Sequence, residues 1–299
     1  MKQWNSQETQ PARDAERSSH ALDNERGETI VNAEAAIGVF DSGVGGLTIL
    51  SVLLRELPYE NFIYFGDTAH CPYGMRSDDE IIDLSTRISR FLIEQGVKLI
   101  VVACNTASQA ALTTLRATFP ALPFVGVVPA VKPAARVTQK GRIAIAATNQ
   151  ASKALYLRQL IDEFAEGIQV YAVGCPELVT LVENGELEGS VVEEAVKNAL
   201  QPILDQDVDV IALGCTHFPA LRPIIESVTG NRVQVIDSGT AVARRTHSVL
   251  DAEALLRPSL QGSRDNGELH VLCSGDPVAF GRVASRILGY DVVAQQAEI

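Results

Sequence analysis

Short apolar runs rich in β-branched residues alternate with longer segments of mixed polarity from Ile37 onward. Eight runs of four to seven residues follow this pattern: IGVF, NFIYF, LIVVAC, FVGVV, RIAIAA, IQVYAV, DVIALGC and RVQVID. Short apolar strands separated by helical segments are typical of parallel sheets that are covered by helices on both faces. The pattern therefore predicts an α/β fold.

The eight runs form two sets of four whose polar ends correspond in order. The first set ends at Asp41, Asp67, Cys104 and Pro129, and the second ends at Thr148, Glu177, Cys215 and Asp237. Corresponding ends are 107, 110, 111 and 108 residues apart, which indicates an internal duplication. We therefore predict two similar parallel-sheet α/β lobes related by a pseudo-twofold axis. Because ligands bind at the carboxyl ends of the strands in such sheets, the active site is expected in the cleft between the lobes.

The expected boundaries of the lobes follow from these runs. Residues 35–131 form the first lobe and residues 132–240 the second. A last apolar segment and helix follow the loose linker SLQGSRDNG and should return to the first lobe, which therefore also includes residues 241–299. Residues 1–34 are polar, charged and aperiodic, which predicts a disordered or loosely docked extension. A dispensable tail is favoured over a regulatory arm.

Composition and charge narrow the class of protein. The net charge of −12 argues against non-specific nucleic-acid binding, which needs a positive field. The five cysteines form no CxxC pair and favour reduced thiols over a disulfide framework. Neither the apolar core of a signal peptide nor an apolar stretch long enough to span a membrane is seen. These features predict a cytoplasmic protein with no membrane segment.

Cys104 and Cys215 occupy matching places in LIVVACNTASQAAL and VIALGCTHFPALRPII. Each thiol follows an apolar strand and precedes a predicted helix, whose N-terminal N–H groups favour a thiolate. Racemisation needs one group to remove the α-proton from one face and a second to return a proton to the other. Although a single buried cysteine is more often a small apolar residue, the paired placement predicts an acid and a base on opposite sides of the cleft.

Polar residues at the same strand ends are candidates for assisting the thiols and binding a substrate. Asp41, Glu177 and His217 are expected to tune the protonation of the two thiols. The residues after each thiol can donate hydrogen bonds to an anion; they are Asn105, Thr106, Thr216 and His217. The remaining cysteines, Cys71, Cys175 and Cys273, are expected to pack. A metal site at Cys104, Cys215 and His217 stays open, although the spacing of a structural zinc site is missing.

Two DSG turns and one HCPYG loop follow other strand ends. The first turn continues as GVGGL, which is neither a dinucleotide-binding nor a P-loop pattern, so a substrate carboxylate or amine is favoured over a nucleotide. Asp237 of the second turn is expected to cap a helix. Tyr73 and the Gly74 amide either contact a substrate carboxylate or belong to a plain turn.

Four motifs together resemble the glutamate racemase family of the aspartate/glutamate racemase superfamily: FDSGVGGLT, PYG, ACNTAS and GCTHFP. The resemblance extends from about Ile37 to about Thr246. It implies interconversion of L- and D-glutamate without pyridoxal phosphate or any metal, with D-glutamate supplied for peptidoglycan synthesis. It also implies that Cys104 takes the proton from D-glutamate and Cys215 from L-glutamate.

The resemblance implies a set of site residues and shows one departure. Those implied to contact or support the substrate are Asp41, Ser42, Tyr73, Gly74, Asn105, Thr106, Thr216 and His217, and Glu177 would assist Cys215 together with His217. Family members usually have a Gly-Thr pair after the fifth strand, whereas this chain has Thr148-Asn149-Gln150-Ala151-Ser152. A hydroxyl expected at Ala151 is missing, and Thr148 or Ser152 is expected to replace it.

Other assignments stay open. The polar extension, VVPAVKPAAR and DSGTAVARRT resemble the enterobacterial-type subset, which implies activation by UDP-N-acetylmuramoyl-L-alanine. A racemase of aspartate or another acidic amino acid fits the same motifs. A two-lobed binding protein of the periplasmic type is less favoured, because of the paired cysteines. Two further expectations are a second role, such as binding DNA gyrase, and a homodimer. No sequence pattern indicates either of them.

Overall fold

The structure is a computed structural model that describes residues 32–258 and 266–299. Two parallel sheets form its framework. The strands are β1 (Ile37–Asp41), β2 (Phe62–Gly66), β3 (Leu99–Val102), β4 (Phe124–Gly126), β5 (Arg142–Ala147), β6 (Gln169–Gly174), β7 (Val210–Leu213), β8 (Gln234–Ile236), β9 (Leu269–Cys273) and β10 (Ala294–Gln296). Almost all of the predicted polar extension and most of the predicted linker lie outside the described residues.

Helices connect the strands and cover the sheets. The α-helices are α1 (Leu47–Glu56), α2 (Asp78–Glu94), α3 (Asn105–Thr118), α4 (Val131–Val137), α5 (Leu155–Phe164), α6 (Pro176–Glu183), α7 (Ser190–Leu204), α8 (Arg222–Thr229), α9 (Gly239–Ala252) and α10 (Pro277–Leu288). Short 3₁₀ helices span Thr68–His70, Tyr73–Met75, Ala151–Lys153, Phe218–Leu221 and Gly230–Arg232. None of the helices in the described parts of the chain is long and apolar enough to cross a membrane.

The two sheets repeat one topology. The first has the strand order β10-β9-β2-β1-β3-β4 and the second has β6-β5-β7-β8, with every pair parallel. When the four strands of each set are matched in chain order, β2-β1-β3-β4 corresponds to β6-β5-β7-β8. This confirms the predicted pair of similar parallel-sheet lobes. Strands β9 and β10 extend the first sheet, while the exact lobe boundaries at residues 131 and 240 stay a prediction.

The topology determines where a ligand can bind. In each sheet the strand order reverses at one strand, which is β1 in the first sheet and β5 in the second. The next two strands along the chain pair with this strand on its two sides. A crevice forms outside the carboxyl ends at such a switch point. Asp41 ends β1 and Cys104 follows β3, while Thr148 follows β5 and Cys215 follows β7. The candidate residues are therefore concentrated at the two switch points.

A buried ion pair joins the opposite, amino ends of β2 and β3. The Lys98 ammonium, fully buried, donates to the Glu60 carboxylate, which is 2% exposed. The same ammonium donates to the Ala33 carbonyl, and the other Glu60 oxygen accepts from the Arg257 backbone N–H at 2.9 Å. These bonds tie the chain before β1 and the chain after α9 to the first sheet.

Glu60→Gln should destabilise the fold strongly, because it leaves the Lys98 ammonium buried without its counter-charge. We expect the free energy of unfolding to fall by about 3–5 kcal/mol, the usual cost of removing one partner of a buried pair. Urea unfolding followed by circular dichroism measures this. Glu56→Gln, which removes an exposed partner of Arg55, is the control and should change stability by less than about 1 kcal/mol. Equal stabilities of the two variants would contradict the assignment.

Candidate active site

Polar residues from both lobes meet at the switch points. The Thr216 hydroxyl of the second lobe donates to Asp41 Oδ2 of the first at 3.1 Å. Thr48 Oγ1, on α1, donates to the Thr216 carbonyl at 2.8 Å, and the hydroxyl oxygens of Thr106 and Thr148 are 3.2 Å apart. Each of these hydrogen bonds connects the two lobes. The expected cleft is therefore a shared site at which the carboxyl ends of both sheets meet.

Cys104 lies at the N-terminus of α3 with a buried thiol. Its Sγ accepts a hydrogen bond from the Ala107 backbone N–H at 3.5 Å, and the Ser42 hydroxyl is 3.8 Å away. Burial, followed by the nearby Asp41 carboxylate, raises the pKa of Cys104 well above its ordinary value, although the Ala107 amide and Ser42 oppose this shift. Burial therefore outweighs the helix N-terminus, which was expected to favour a thiolate, and the thiol form of Cys104 is favoured.

Cys215 has different surroundings from Cys104. A 3₁₀ helix follows it, and α8 begins only at Arg222, so the expected helix directly after Cys215 is wrong. Pro223 explains the break between the two helices, because it has no N–H to donate to the carbonyl of Pro219, as a continuous α-helix would require. The Cys215 thiol instead lies 3.5 Å from Nδ1 of His217.

His217 is joined to a carboxylate on its other side. Its Nε2 is 2.5 Å from Oε1 of Glu183, which also accepts from the Val44 backbone N–H at 3.0 Å. Burial lowers the pKa of His217, but Cys215 and Glu183 together raise it well above its ordinary value. Burial also raises the pKa of Glu183, but hydrogen bonds from His217 and Val44 bring it below its ordinary value. His217 and Glu183 therefore form an imidazolium–carboxylate pair next to the Cys215 sulfur.

The prediction that Glu177 pairs with His217 is wrong. Glu177 lies in the first turn of α6 and is exposed, whereas Glu183 ends the same helix and contacts His217. Six residues advance a helix by about one and two-thirds turns, so the two side chains point in different directions. The strand end identified the correct helix, but not the residue of it that reaches the cleft.

The glycine-rich turn after β1 held a signal for Glu183. A Cβ at Gly43 would lie 2.0 Å from Glu183 Oε1, and one at Gly45 would lie 2.4 Å from His217 Nδ1. Glycines allow this close approach because they carry no side chain. The turn was expected to approach an anionic ligand, and the anion that it contacts is the Glu183 carboxylate. A glutamate on the helix that follows β6, whose end was predicted to face the same cleft, was therefore the residue to seek.

Asp41 is fully buried and lies between the groups that surround Cys104 and those that surround Cys215. It accepts hydrogen bonds from the Gly43 backbone N–H at 2.8 Å and from Thr216, and Ser42 Oγ is 3.5 Å from it. Burial raises the pKa of Asp41, an effect that His217 opposes. Asp237 of the second DSG turn accepts from the Gly239 N–H at 2.8 Å, but Ser238 occupies the N-cap position of α9, so the expected cap at Asp237 is wrong by one residue.

The HCPYG loop packs tightly between the lobes. The Tyr73 hydroxyl, buried, donates to Asp67 Oδ2 at 2.6 Å, and the other Asp67 oxygen accepts from Ser274 at 2.7 Å. A Cβ at Gly74 would lie 3.0 Å from the Thr148 Cβ, so the loop packs against the second lobe. Asp67 thus anchors the loop, and contact of Tyr73 or Gly74 with a substrate stays a prediction.

Asn105 and Thr148 present polar atoms near the thiols. Asn105 is 3% exposed, and within residues 32–258 and 266–299 its Oδ1 has no hydrogen-bond partner. The Thr148 hydroxyl accepts from the Ala151 N–H at 3.1 Å and faces Thr106, whereas Ser152 donates to a backbone carbonyl of its own turn. Of the two replacements expected for the missing hydroxyl at Ala151, the structure places Thr148 at the lobe interface.

Comparisons with known proteins agree with this arrangement. The family model described as Asp/Glu/hydantoin racemase matches residues 54–246. A glutamate racemase of Herpetosiphon aurantiacus is 45% identical over 247 residues, which are 83% of this chain and 95% of that protein. A crystal structure of a glutamate racemase isoform from Bacillus anthracis has a TM-score of 0.80 and 34% identity, covering 90% of this chain and 99% of the other.

A second solved structure comes from Escherichia coli. It is a glutamate racemase in complex with L-glutamate and the activator UDP-MurNAc-Ala, with a TM-score of 0.75 and 34% identity over 88% of this chain and 97% of that one. The two matched sheets, the paired cysteines at equivalent strand ends and these similarities lead to one conclusion. The chain belongs to the Asp/Glu/hydantoin racemase family.

Proposed function

We propose that this chain interconverts L- and D-glutamate without a cofactor, using Cys104 and Cys215 as two opposing acid–base groups. The observation that carries the proposal is the placement of one buried thiol after each of the equivalent strands β3 and β7, at a site that both lobes share. Glutamate is favoured over aspartate because the similar proteins described above are glutamate racemases. D-Glutamate for peptidoglycan synthesis, made in the cytoplasm, is the proposed product.

The Cys104 side needs a positive charge before it can act as the base. Asp41 is buried between the lobes and raises the pKa of Cys104. We place the α-ammonium group of glutamate beside Asp41, since a buried carboxylate is stabilised by a positive partner. The ammonium charge then offsets that of Asp41, and Cys104 can become the thiolate that takes the α-proton from D-glutamate. Substrate binding thereby activates this thiol.

The Cys215 side already holds its positive charge. His217 as an imidazolium donates Nε2–H to Glu183 and directs Nδ1–H towards the Cys215 sulfur. This arrangement favours a thiolate at Cys215 when L-glutamate is the substrate. The substrate carboxylates are proposed to be held by four polar residues of the site, Asn105, Thr106, Thr148 and Thr216. Ser42, Tyr73 and Gly74 complete the proposed set.

Cys104→Ser and Cys215→Ser should each abolish measurable racemisation. A serine hydroxyl is a far weaker acid than a thiol, so each variant loses an acid–base group worth about 10²–10⁴-fold in rate. The decay of the circular-dichroism signal of pure L- or D-glutamate measures this, without any added cofactor. Cys273→Ser is the control, because that buried thiol contacts only the Gly275 carbonyl in the hydrogen bonds of the described residues. Full activity of either cleft variant would contradict the proposal.

Glu183→Gln should impair catalysis far more than Glu177→Gln, its matched control on the same helix. A hydrogen bond to a charged group is worth about 1.5–3 kcal/mol, so kcat/KM should fall by about ten- to a hundredfold. Because the two enantiomers have equal free energies, kcat/KM must fall equally in both directions.

The pH profile gives a second readout for the same variant. Without Glu183, His217 loses one of the two partners that raise its pKa against the effect of burial, so its pKa falls and the imidazolium is lost at lower pH than in the wild-type protein. The alkaline limb of kcat/KM should therefore move to lower pH in Glu183→Gln. A normal profile in this variant, or a larger loss in Glu177→Gln, would show that Glu183 does not act through His217.

Activation by UDP-N-acetylmuramoyl-L-alanine is also proposed, supported by the related Escherichia coli structure and by the sequence resemblance described above. Adding this precursor should raise kcat/KM for L-glutamate. UDP-N-acetylglucosamine, which lacks the lactyl-alanine group, serves as the control and should have no effect. Equal rates with and without the precursor would disprove activation.

A further inference from the structure

A third cysteine adjoins the His217–Glu183 pair. The sulfur of Cys71, one carboxylate oxygen of Glu183 and one ring nitrogen of His217 all lie within 4.8 Å of one another. Cys71 was expected to pack, yet it is only partly buried and its sulfur adjoins the Glu183 carboxylate. The three residues come from the loop after β2, the end of α6 and the turn after β7, which are 112 and 34 residues apart along the chain.

These three side chains form a set of donors that suits zinc. Thiolate sulfur, imidazole nitrogen and carboxylate oxygen all bind Zn²⁺, and sites with three protein ligands leave a fourth position for water. With the usual zinc–ligand lengths, donor atoms in a tetrahedral site are about 3.3–3.6 Å apart. His217 Nε2 and Glu183 Oε1, now 2.5 Å apart, must therefore separate by roughly 1 Å, whereas donors as far apart as 4.8 Å must approach each other by a similar amount. Side-chain rotations of Cys71 and Glu183 can supply such a movement.

One member of the cluster borders a cavity beside α10. The cavity, of about 490 Å³, is lined by Glu183 together with Thr68, Asp276 and Arg282. The Glu183 side chain is 19% exposed, so this ligand is accessible to an ion that enters the cavity.

We propose that Zn²⁺ binds to Cys71, Glu183 and His217 and thereby inhibits the enzyme. On binding, the proton of the Cys71 thiol and the Nε2 proton of His217 are released to solvent, and the metal takes the place of the hydrogen bond between His217 and Glu183. The two charges of the ion are then balanced by the Cys71 thiolate and the Glu183 carboxylate, and the neutral imidazole, bound to the metal instead of to Glu183, is no longer held beside Cys215 as an imidazolium. Inhibition rests on the proposed racemase function, whereas metal binding does not.

Cobalt binding tests the site without an activity measurement. Co²⁺ titrated into the full-length protein should give a sulfur-to-cobalt charge-transfer band in the near ultraviolet, with one ion per chain, and Zn²⁺ should remove it. Cys71→Ser should lose the band, whereas the matched control Cys175→Ser, a buried thiol outside the cluster, should retain it. A band that persists in Cys71→Ser, or that depends only on Cys104 and Cys215, would overturn the proposal.

Two further measurements use activity and the wild-type protein. The Zn²⁺ concentration that halves the rate should rise about tenfold or more in Cys71→Ser relative to that variant's own uninhibited rate. Zn²⁺ should also slow alkylation of Cys71 by iodoacetamide, followed by mass spectrometry of the wild-type chain, so the test stands even if Cys71→Ser folds poorly. Protection confined to Cys104 and Cys215 would overturn the site. If the Cys71-dependent band forms but Zn²⁺ leaves racemase activity undiminished, the proposal of inhibition is overturned. If the band forms in a wild-type protein that has no racemase activity, the proposed function is contradicted instead.

Discussion

The contact between the His217–Glu183 pair and the glycine turn after β1 is the constraint on which the site depends. Glu183 belongs to the second lobe, yet its carboxylate accepts the Val44 N–H of the first, and Gly43 and Gly45 leave the space for this approach. One carboxylate thereby holds the lobes together, keeps His217 charged and directs it towards Cys215. A side chain at Gly43 would collide with the Glu183 carboxylate and one at Gly45 with the His217 ring, so these groups would have to leave their positions.

The duplicated topology supplies two thiols at equivalent places, but their chemistry is not equivalent. Cys104 has a helix amide and lies near the Asp41 carboxylate, so burial and charge favour its thiol form. Cys215 has a buried imidazolium beside it. In the proposed mechanism the two thiols therefore reach the thiolate state by different means, Cys104 through the substrate ammonium group and Cys215 through His217.

Periodicity and strand-end positions predicted the fold and the two thiols, because parallel strands and their polar ends are local properties of the sequence. Apolar runs marked β1 to β8 within a few residues, and the constant spacing predicted the duplication that the repeated strand order confirms. Choosing Glu183 over Glu177 required the direction in which α6 leaves its strand, and the cluster of Cys71 with Glu183 and His217 required the packing of three distant segments. Such contacts follow from tertiary structure, which strand spacing does not describe.

In the proposed mechanism, Cys104 and Cys215 act on opposite faces of the substrate. This claim is tested most directly by brief racemisation of each pure enantiomer in D₂O, with the Cα label of substrate and product measured separately. The two-base mechanism predicts that the newly formed enantiomer carries deuterium at Cα from the first turnovers, while the remaining substrate keeps its original proton. A product that retains its original α-proton, or equal labelling of both enantiomers at early times, would show that one base serves both faces and would contradict the account.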